Sequence, residues 1–172
     1  MRFKASLASV IFAAVTLSGA CGAQAPDSIT ETVAQAKVLM RSGEAGAAQA
    51  RLLFEQAAGE GSGVAAYYLG LMRKNGMGGE PDSVAALRWL ELAARRQVAP
   101  AMFIAANMLA SSDMGQARHW LDAACALEYP EALMQKAIAL QEGTMGHARD
   151  PKQSALYFKM AEHAMGHRQP EP

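Results

Sequence analysis

The feature that most constrains the fold of this chain is an internal repeat. One stretch places an aspartate, an alanine, a tryptophan and a second alanine at offsets 0, 4, 7 and 11, which is one face of an α-helix. The same offsets return twice downstream, and an upstream copy has Gly46 in place of the aspartate. The copies contain Asp82, Ala86, Trp89 and Ala93; Asp113, Ala117, Trp120 and Ala124; Asp150, Ser154, Tyr157 and Ala161; and Ala50, Leu53, Ala57 and Ala58. We call the residue at offset 4 the repeat alanine; it is Ala50, Ala86 and Ala117 in the first three copies, and Ser154 takes its place in the fourth. These four residues are separated by 36, 31 and 37 positions, a period typical of stacked helical repeats.

Each copy is predicted to form two antiparallel helices. The second helix begins at an aspartate whose carboxylate accepts free amide N–H groups, and prolines suit the first turn of a helix. Ser28-Ile29-Thr30-Glu31 has the pattern of a capping box that starts the first repeat. The aspartates are Asp82, Asp113 and Asp150, and the prolines are Pro100, Pro130 and Pro151. One such pair cannot bury its apolar face alone, whereas stacked pairs can.

Composition supports an all-α fold and excludes two classes of protein. The chain has 37 alanines against 15 valines, isoleucines and threonines together, which favours helix over sheet. Basic and acidic residues number 16 each and form no basic cluster, so a nucleic-acid-binding surface is not expected. Because 51% of the residues are hydrophobic and the net charge is zero, intrinsic disorder is excluded as well.

The clearest copy resembles the Sel-one-like repeat, a relative of the tetratricopeptide repeat. It holds the Leu-Gly pair, the Gly-x-Gly loop and the Asp-x3-Ala-x2-Trp-x3-Ala-Ala helix of that family. The third copy lacks the glycine loop, and Arg73 replaces the aromatic residue that follows Leu-Gly in the family. The resemblance covers about residues 29–165 and implies a short right-handed α-solenoid of about four repeats. The matching positions are Leu69, Gly70, Gly76, Gly78, Asp82, Ala86, Trp89, Ala93, Ala94, Asp113, Ala117, Trp120, Asp150 and Tyr157.

The N-terminus has the pattern of an export signal. Arg2 and Lys4 precede about 13 mostly apolar residues that carry no charge, which is the length of a signal-peptide core and too short to span a bilayer. Residues 1–20 are therefore predicted to be a signal peptide, residues 21–28 a tether, residues 29–165 the repeat array and residues 166–172 a disordered tail.

Leu17-Ser18-Gly19-Ala20-Cys21 resembles a bacterial lipobox, in which the cysteine receives a lipid and becomes the new N-terminus. The alternative is cleavage by the general signal peptidase after Ala20 or Ala23. Gly22, rather than an aspartate, follows Cys21, and under the enterobacterial sorting rule this resemblance points to the outer membrane. We therefore expect a periplasmic lipoprotein that contacts the membrane only through its anchor.

Cys125 is expected to be a buried structural thiol, because its helical neighbours are alanines and a leucine. A disulfide between Cys21 and Cys125 is the alternative if Cys21 is not lipidated. Motifs that specify a catalytic mechanism, such as a nucleophile elbow or a phosphate loop, do not occur. The glycines at 76 to 79 are interpreted as a helix-hairpin turn, because neither a strand nor the lysine of a phosphate loop flanks them.

Histidines and methionines are candidate metal ligands. His163 and His167 are four residues apart on the last helix, and His147 stands close to Met145, so a periplasmic copper site can be imagined. Surface histidines and core-filling methionines are the preferred interpretation. The sequence therefore predicts no catalytic residue, no metal site and no cofactor.

What remains is a binding surface. In tetratricopeptide-like arrays the first helix of each pair lines a concave groove. Aligning the repeats on their shared Leu-Gly pair transfers the groove positions to this sequence. Such a floor, apolar in the middle and polar at its edge, would suit a peptide or a partner helix. The predicted groove residues are Val38, Arg41, Tyr67, Leu71, Lys74, Phe103, Asn107, Met134, Ile138 and Gln141.

The resemblance implies a non-catalytic scaffold or adaptor of the bacterial envelope that binds a protein or peptide. The alternatives are an immunity lipoprotein that neutralises a secreted effector, a periplasmic metal-handling protein and an enzyme. The sequence identifies neither the partner nor the oligomeric state.

Overall fold

The computed structural model describes residues 26–167, with side-chain environments from residue 28 onward. This part of the chain contains eight α-helices and no strands. None of the eight combines the length and the apolar composition needed to cross a membrane. The helices are α1 (Pro26–Met40), α2 (Glu44–Gly59), α3 (Gly63–Asn75), α4 (Ser83–Arg95), α5 (Ala99–Leu109), α6 (Met114–Ala126), α7 (Pro130–Glu142) and α8 (Pro151–Gly166).

The helices form four consecutive pairs, which we call repeats one to four. Each odd-numbered helix packs against the even-numbered helix that follows it, and that second helix then packs against the first helix of the next repeat. This arrangement confirms the prediction of an all-α solenoid built from four helix pairs. The predicted signal peptide, with Cys21, lies outside the described residues, as does most of the predicted tail.

The predicted helix starts are confirmed in repeats two to four. Asp82 accepts a hydrogen bond from the Ala85 N–H at 2.9 Å, and Asp113 and Asp150 cap α6 and α8 in the same way. Prolines occupy the first turn of α5, α7 and α8. Each start depends on a local side-chain bond or on the local backbone preference of proline, and α8 has both, which is why the sequence reveals it.

The start of the first repeat differs from the prediction. Helix α1 already begins at Pro26, so Ser28 lies inside the helix and its carbonyl accepts a hydrogen bond from the Thr32 hydroxyl at 2.8 Å. The predicted capping box at Ser28 is therefore wrong, and residues 26–28 of the predicted tether belong to α1. Gly43 precedes α2 and Gly46 lies within that helix, so Gly46 does not take the capping role of the aspartates.

The core lies between the two layers of helices. The position four residues after the repeat alanine is Phe54, Leu90 and Leu121 in repeats one to three, and each of these side chains is fully buried. The corresponding Phe158 of repeat four is only half-buried. Fewer side chains are therefore buried along α8, where Ser154 and Ala161 are the buried residues.

Loops that contain glycine contact the second helix of the preceding repeat. Gly76 ends α3 in the left-handed conformation with φ of 69°, which confirms the helix-hairpin turn. Gly78, with φ of 71°, lies so close to the backbone of Ala47 and Ala48 that a Cβ atom would meet it at 2.9 Å. Arg51 of α2 donates to the Gly78 carbonyl at 2.9 Å. The same link recurs between repeats three and four.

In that second link, Arg118 of α6 donates to the carbonyl of Gly146 at 3.0 Å. Gly146 belongs to the glycine-containing loop between α7 and α8 and has φ of 72°. Arg51 and Arg118 occupy equivalent positions, each directly after the repeat alanine. An arginine at this position therefore holds the loop of the following repeat.

The turns that join one repeat to the next contain a left-handed residue. Gly61 supplies it in the first turn, whereas Gln97 and Glu128, with φ of 62° and 54°, supply it in the next two. Replacing Gln97 with glycine is expected to raise the free energy of unfolding by about 0.5–1 kcal/mol, because relief of backbone strain exceeds the added chain entropy.

Urea denaturation measures this effect. Gln49→Gly is the control, because Gln49 is an exposed residue inside α2 and glycine there costs about 1 kcal/mol. A lower stability for Gln97→Gly would contradict the strain argument.

Candidate functional site

The ten predicted groove residues all belong to first helices or directly follow one, and together they define the first-helix face. The largest exposed apolar side chains on this face are Val38, which is 67% exposed, and Ile138, which is 42% exposed. Arg41, Lys74, Asn107 and Gln141 are exposed, and Leu71, Phe103 and Met134 are half-buried. Nine of the ten are therefore accessible at least in part.

Tyr67 is the exception, because only 4% of its surface is exposed. Its ring meets the ring of Tyr68 edge-on, with centroids 5.3 Å apart, and it belongs to the hydrophobic core. The prediction that Tyr67 lines an open groove is wrong, since the packing of repeat two encloses this ring. The half-buried side chains Phe103 and Met134 occupy the same position in the next two repeats.

Tyr68, which the sequence analysis missed, connects repeats one and two. Its ring stacks on Phe54 of α2 at a centroid distance of 5.2 Å. The ammonium of Lys37 on α1 lies 5.1 Å from the same ring centroid, within cation–π range. Two adjacent tyrosines on a helix point in directions about 100° apart, so the pair itself indicated that one ring would face the preceding repeat.

An amide pair connects α5 and α7 across the first-helix face. The side-chain Nε2 of Gln135 donates to Oδ1 of Asn107 at 2.8 Å, and Nδ2 of Asn107 donates to Oε1 of Gln135 at 3.2 Å. Asn107 also donates to the Phe103 backbone carbonyl at 2.9 Å. Gln135 is not among the predicted groove residues, although it is polar at the position held by Tyr68 and Ile104 in the two preceding repeats. This pairing fixes the spacing of two first helices.

The charge on the first-helix face is positive. Arg41 and Lys74 are exposed at equivalent positions near the C-terminal ends of α1 and α3, and none of the ten face residues is acidic. Cations near a helix C-terminus are also favoured by the helix dipole, which accounts for part of their placement. The exposed apolar side chains beside them are not explained by the dipole.

A half-buried polar cluster lies between repeats three and four. Lys136 stands at the position of Leu69 in repeat two, and its ammonium lies 2.6 Å from the Asp122 carboxylate and 4.7 Å from the Tyr157 ring centroid. Burial lowers the pKa of Lys136, but the bonds to Asp122 and Tyr157 outweigh it, so the pKa is raised. Lys136 is therefore a protonated, paired cation, and it is not suited to act as a general base at neutral pH.

Cys125 is buried and free, as predicted, and Cys21 lies in the part of the chain that the structure does not describe. Burial, only partly offset by nearby Lys136, raises the pKa of the Cys125 thiol to about 12. A thiol is nucleophilic only as the thiolate, so this side chain is inert at neutral pH.

We expect Cys125 in the folded protein to react with a thiol reagent at pH 8 at least about 100-fold more slowly than in urea, because it is both buried and protonated. Since the folded pKa is raised, its contribution to stability is complete below about pH 9 and is lost as the pH rises towards 12. Absorbance assays with an aromatic disulfide, with and without urea, measure both rates. Equal rates would contradict the burial of this thiol.

The histidines of the alternative copper site are only partly brought together. The rings of His163 and His167 lie 4.8 Å apart, but no group of three or more histidine, cysteine, aspartate or glutamate side chains within residues 26–167 is arranged to hold a metal. Burial lowers the pKa of His147, while the thioether of nearby Met145 accepts a hydrogen bond from Gln135 at 3.0 Å.

Comparison with known proteins agrees with this architecture. The sequence model of the Sel1 repeat matches residues 63–98, 105–129 and 130–163, more than half of the chain. A crystal structure of a Sel1 repeat protein from Oxalobacter formigenes is similar with a TM-score of 0.68 at 21% identity, over 81% of this chain and 61% of that one. This chain thus spans less than two thirds of that relative.

A second solved structure, a protective antigen of uropathogenic Escherichia coli with an SLR fold, aligns with a TM-score of 0.43 at 18% identity. That alignment covers 77% of this chain and 38% of the antigen. A search of curated protein sequences found no match.

Proposed function

Because the chain belongs to the Sel1 repeat family, whose members are generally protein-interaction scaffolds, we propose that it is a non-catalytic scaffold that binds a protein or peptide on the first-helix face. The observation that carries the proposal is the combination of exposed apolar side chains with unopposed cations on that face. Val38 and Ile138 stand open to solvent, and Arg41 and Lys74 lie along the same face with no acidic residue among its ten positions.

The partner that suits this face is a segment with apolar side chains beside acidic ones. Apolar contacts would supply most of the affinity, and the two cations would direct the orientation and speed of association. Because exposed charges are screened by salt, binding should weaken between low and physiological ionic strength. Lys74→Glu should weaken it further by opposing an acidic segment.

We place this scaffold outside the cytoplasm, anchored to the outer membrane through a lipid on Cys21. The proposal rests on the apolar N-terminal run and the Leu-Ser-Gly-Ala-Cys segment that ends at Cys21. Labelling of cells with a radioactive fatty acid should mark the wild-type protein and leave Cys21→Ser unmarked. A wild-type protein that carries no lipid would contradict the anchor.

The binding surface is tested by capturing partners of the tagged protein from crosslinked bacterial envelopes. Val38→Asp and Ile138→Asp are expected to abolish capture, because each puts a charge into the apolar part of the first-helix face. Val84→Asp is the matched control, since Val84 is 64% exposed but lies on α4, a second helix. Tyr67→Ala is unsuitable, because the loss of a core ring would disturb folding.

Circular dichroism and thermal denaturation must show that all three variants fold as the wild type does. Capture that survives both face variants, or is lost equally in Val84→Asp, would contradict binding on the first-helix face.

A further inference from the structure

A cavity lies between the last turns of α8 and the turn that precedes α7. Its volume is about 220 Å³, several times that of a water molecule. An apolar floor and a polar rim form its walls, and the rim opens at the surface of repeat four. The floor consists of Leu133, Met160 and Ala164, and the rim consists of Glu128, Lys159 and His163.

Repeat two shows what fills this place elsewhere in the same chain. Arg96 stands ten residues after the repeat alanine, as Ala164 stands ten residues after Ser154. The Arg96 guanidinium donates to the Ala58 carbonyl at 3.0 Å, at the end of the preceding second helix. A Cβ atom added at Gly63 would lie 2.9 Å from the Arg96 Cβ, so the arginine lies closely over the turn between repeats. In repeat four, alanine leaves that space open.

The groups that receive Arg96 have counterparts in the turn before α7, which ends at the cavity lining. The Ala58 carbonyl accepts the Gly61 N–H at 3.1 Å as well as the guanidinium. In repeat four the equivalent Cys125 carbonyl accepts the N–H groups of Leu127 and Glu128, the counterparts of the two backbone donors that the Ala58 carbonyl accepts beside the guanidinium.

Glu128 adds a carboxylate that repeat one does not have at this turn. It takes the place of Gly61 and keeps the left-handed backbone, with φ of 54°, a conformation that costs a non-glycine residue about 1–2 kcal/mol. None of the salt bridges in the described part of the chain involves Glu128 or Lys159. The rim therefore offers a carboxylate to an incoming cation, although the Lys159 ammonium lies on the same rim.

We propose that this cavity is a socket for an arginine side chain of a partner protein. The guanidinium donates to the Cys125 carbonyl and to the Glu128 carboxylate, and its aliphatic stem packs on Leu133 and Met160. Arginine suits the site better than lysine, because its planar fork serves two acceptors at once. The socket lies on the turn between repeats and α8, so it is separate from the first-helix face.

The test is an NMR titration of the mature, isotope-labelled protein with N-acetyl-arginine amide, a probe of the arginine side chain. We expect saturable shifts at the amides of Glu128, Leu133 and Ala164, with a Kd on the order of 1 mM for so small a ligand. The matched neutral probe, N-acetyl-citrulline amide, should bind at least about tenfold more weakly, since a hydrogen bond to a charged group is lost.

Two variants identify the groups involved. Glu128→Gly removes the carboxylate and relieves the backbone strain, so affinity should fall about tenfold while the unfolding midpoint in urea does not fall. Ala164→Arg fills the socket from within, as Arg96 does, and should abolish the shifts. Glu162→Gln is the control, because Glu162 is exposed on α8 and does not line the cavity, and its affinity should equal that of wild type.

Equal shifts with the citrulline probe, or binding that persists in Ala164→Arg, would overturn the proposal. Binding that appears only in Arg168→Ala would also overturn it, because the chain's own arginine would then be the occupant. A partner identified on the first-helix face neither supports nor contradicts the socket, so the two proposals fail separately.

Discussion

Phe54→Ala is expected to lower the free energy of unfolding by about 3–5 kcal/mol, the range for removing a buried aromatic side chain. Phe54 is fully buried and stacks on Tyr68 of the following repeat. The substitution therefore leaves a cavity inside repeat one and also removes a contact between repeats one and two. Urea denaturation followed by circular dichroism measures the loss as a shift of the midpoint.

Phe158→Ala is the matched control for that result. Phe158 has the same identity and the same repeat position, but it is only half-buried because no helix within the described residues packs beyond α8. Its replacement should cost less than half as much, since a partly exposed ring loses less buried area and leaves no closed cavity. Equal losses of unfolding free energy in the two variants would contradict the lower burial of this position in α8.

Gly70→Ala is expected to destabilise the protein by about 1–3 kcal/mol through overpacking. A Cβ atom at this position would lie 2.6 Å from Cγ of Leu90, and Leu90 is fully buried on the facing helix α4. The glycine thus sets how closely the two helices of repeat two approach. In a thermal melt each kcal/mol should appear as a fall of roughly 2–4 °C for a chain of this size.

Gly59→Ala is the control, because a Cβ atom there would meet no other group within 4 Å. Gly59 ends α2 without a left-handed backbone, so alanine should raise stability by about 0.4–1 kcal/mol by restricting the unfolded chain. Alanines already occupy the Gly70 position in repeats three and four, at Ala106 and Ala137. A neutral effect of Gly70→Ala would mean that α3 and α4 can separate to the spacing of those repeats.

The sequence predicts the fold well wherever the determining interaction is local. Asp82, Asp113 and Asp150 cap helices through bonds to amides two or three residues away, so the repeat pattern reveals them directly. The start of α1 was predicted wrongly because two local signals compete there. Pro26 suits a first turn and Ser28 suits a cap, and the pattern alone does not rank them.

The candidate site is less predictable, because it depends on contacts between repeats. The helical period places Tyr67 on the first-helix face, but the period does not say whether neighbouring side chains will cover the ring. Asn107 and Gln135 are 28 residues apart and pair only because α5 and α7 lie side by side. The socket likewise depends on comparing Arg96 with Ala164 once the turn between repeats has a known shape.

The arginine links between repeats have a mechanical consequence for binding. Arg51 holds the loop of repeat two and Arg118 holds the loop of repeat four, but the equivalent residue of repeat two is Leu87. The arginine link therefore joins repeat one to repeat two and repeat three to repeat four. The joint between repeats two and three lacks this hydrogen bond. A partner that contacts all four first helices must fix the angle of that joint, so its affinity would include the entropic cost of making the two halves act as one rigid body.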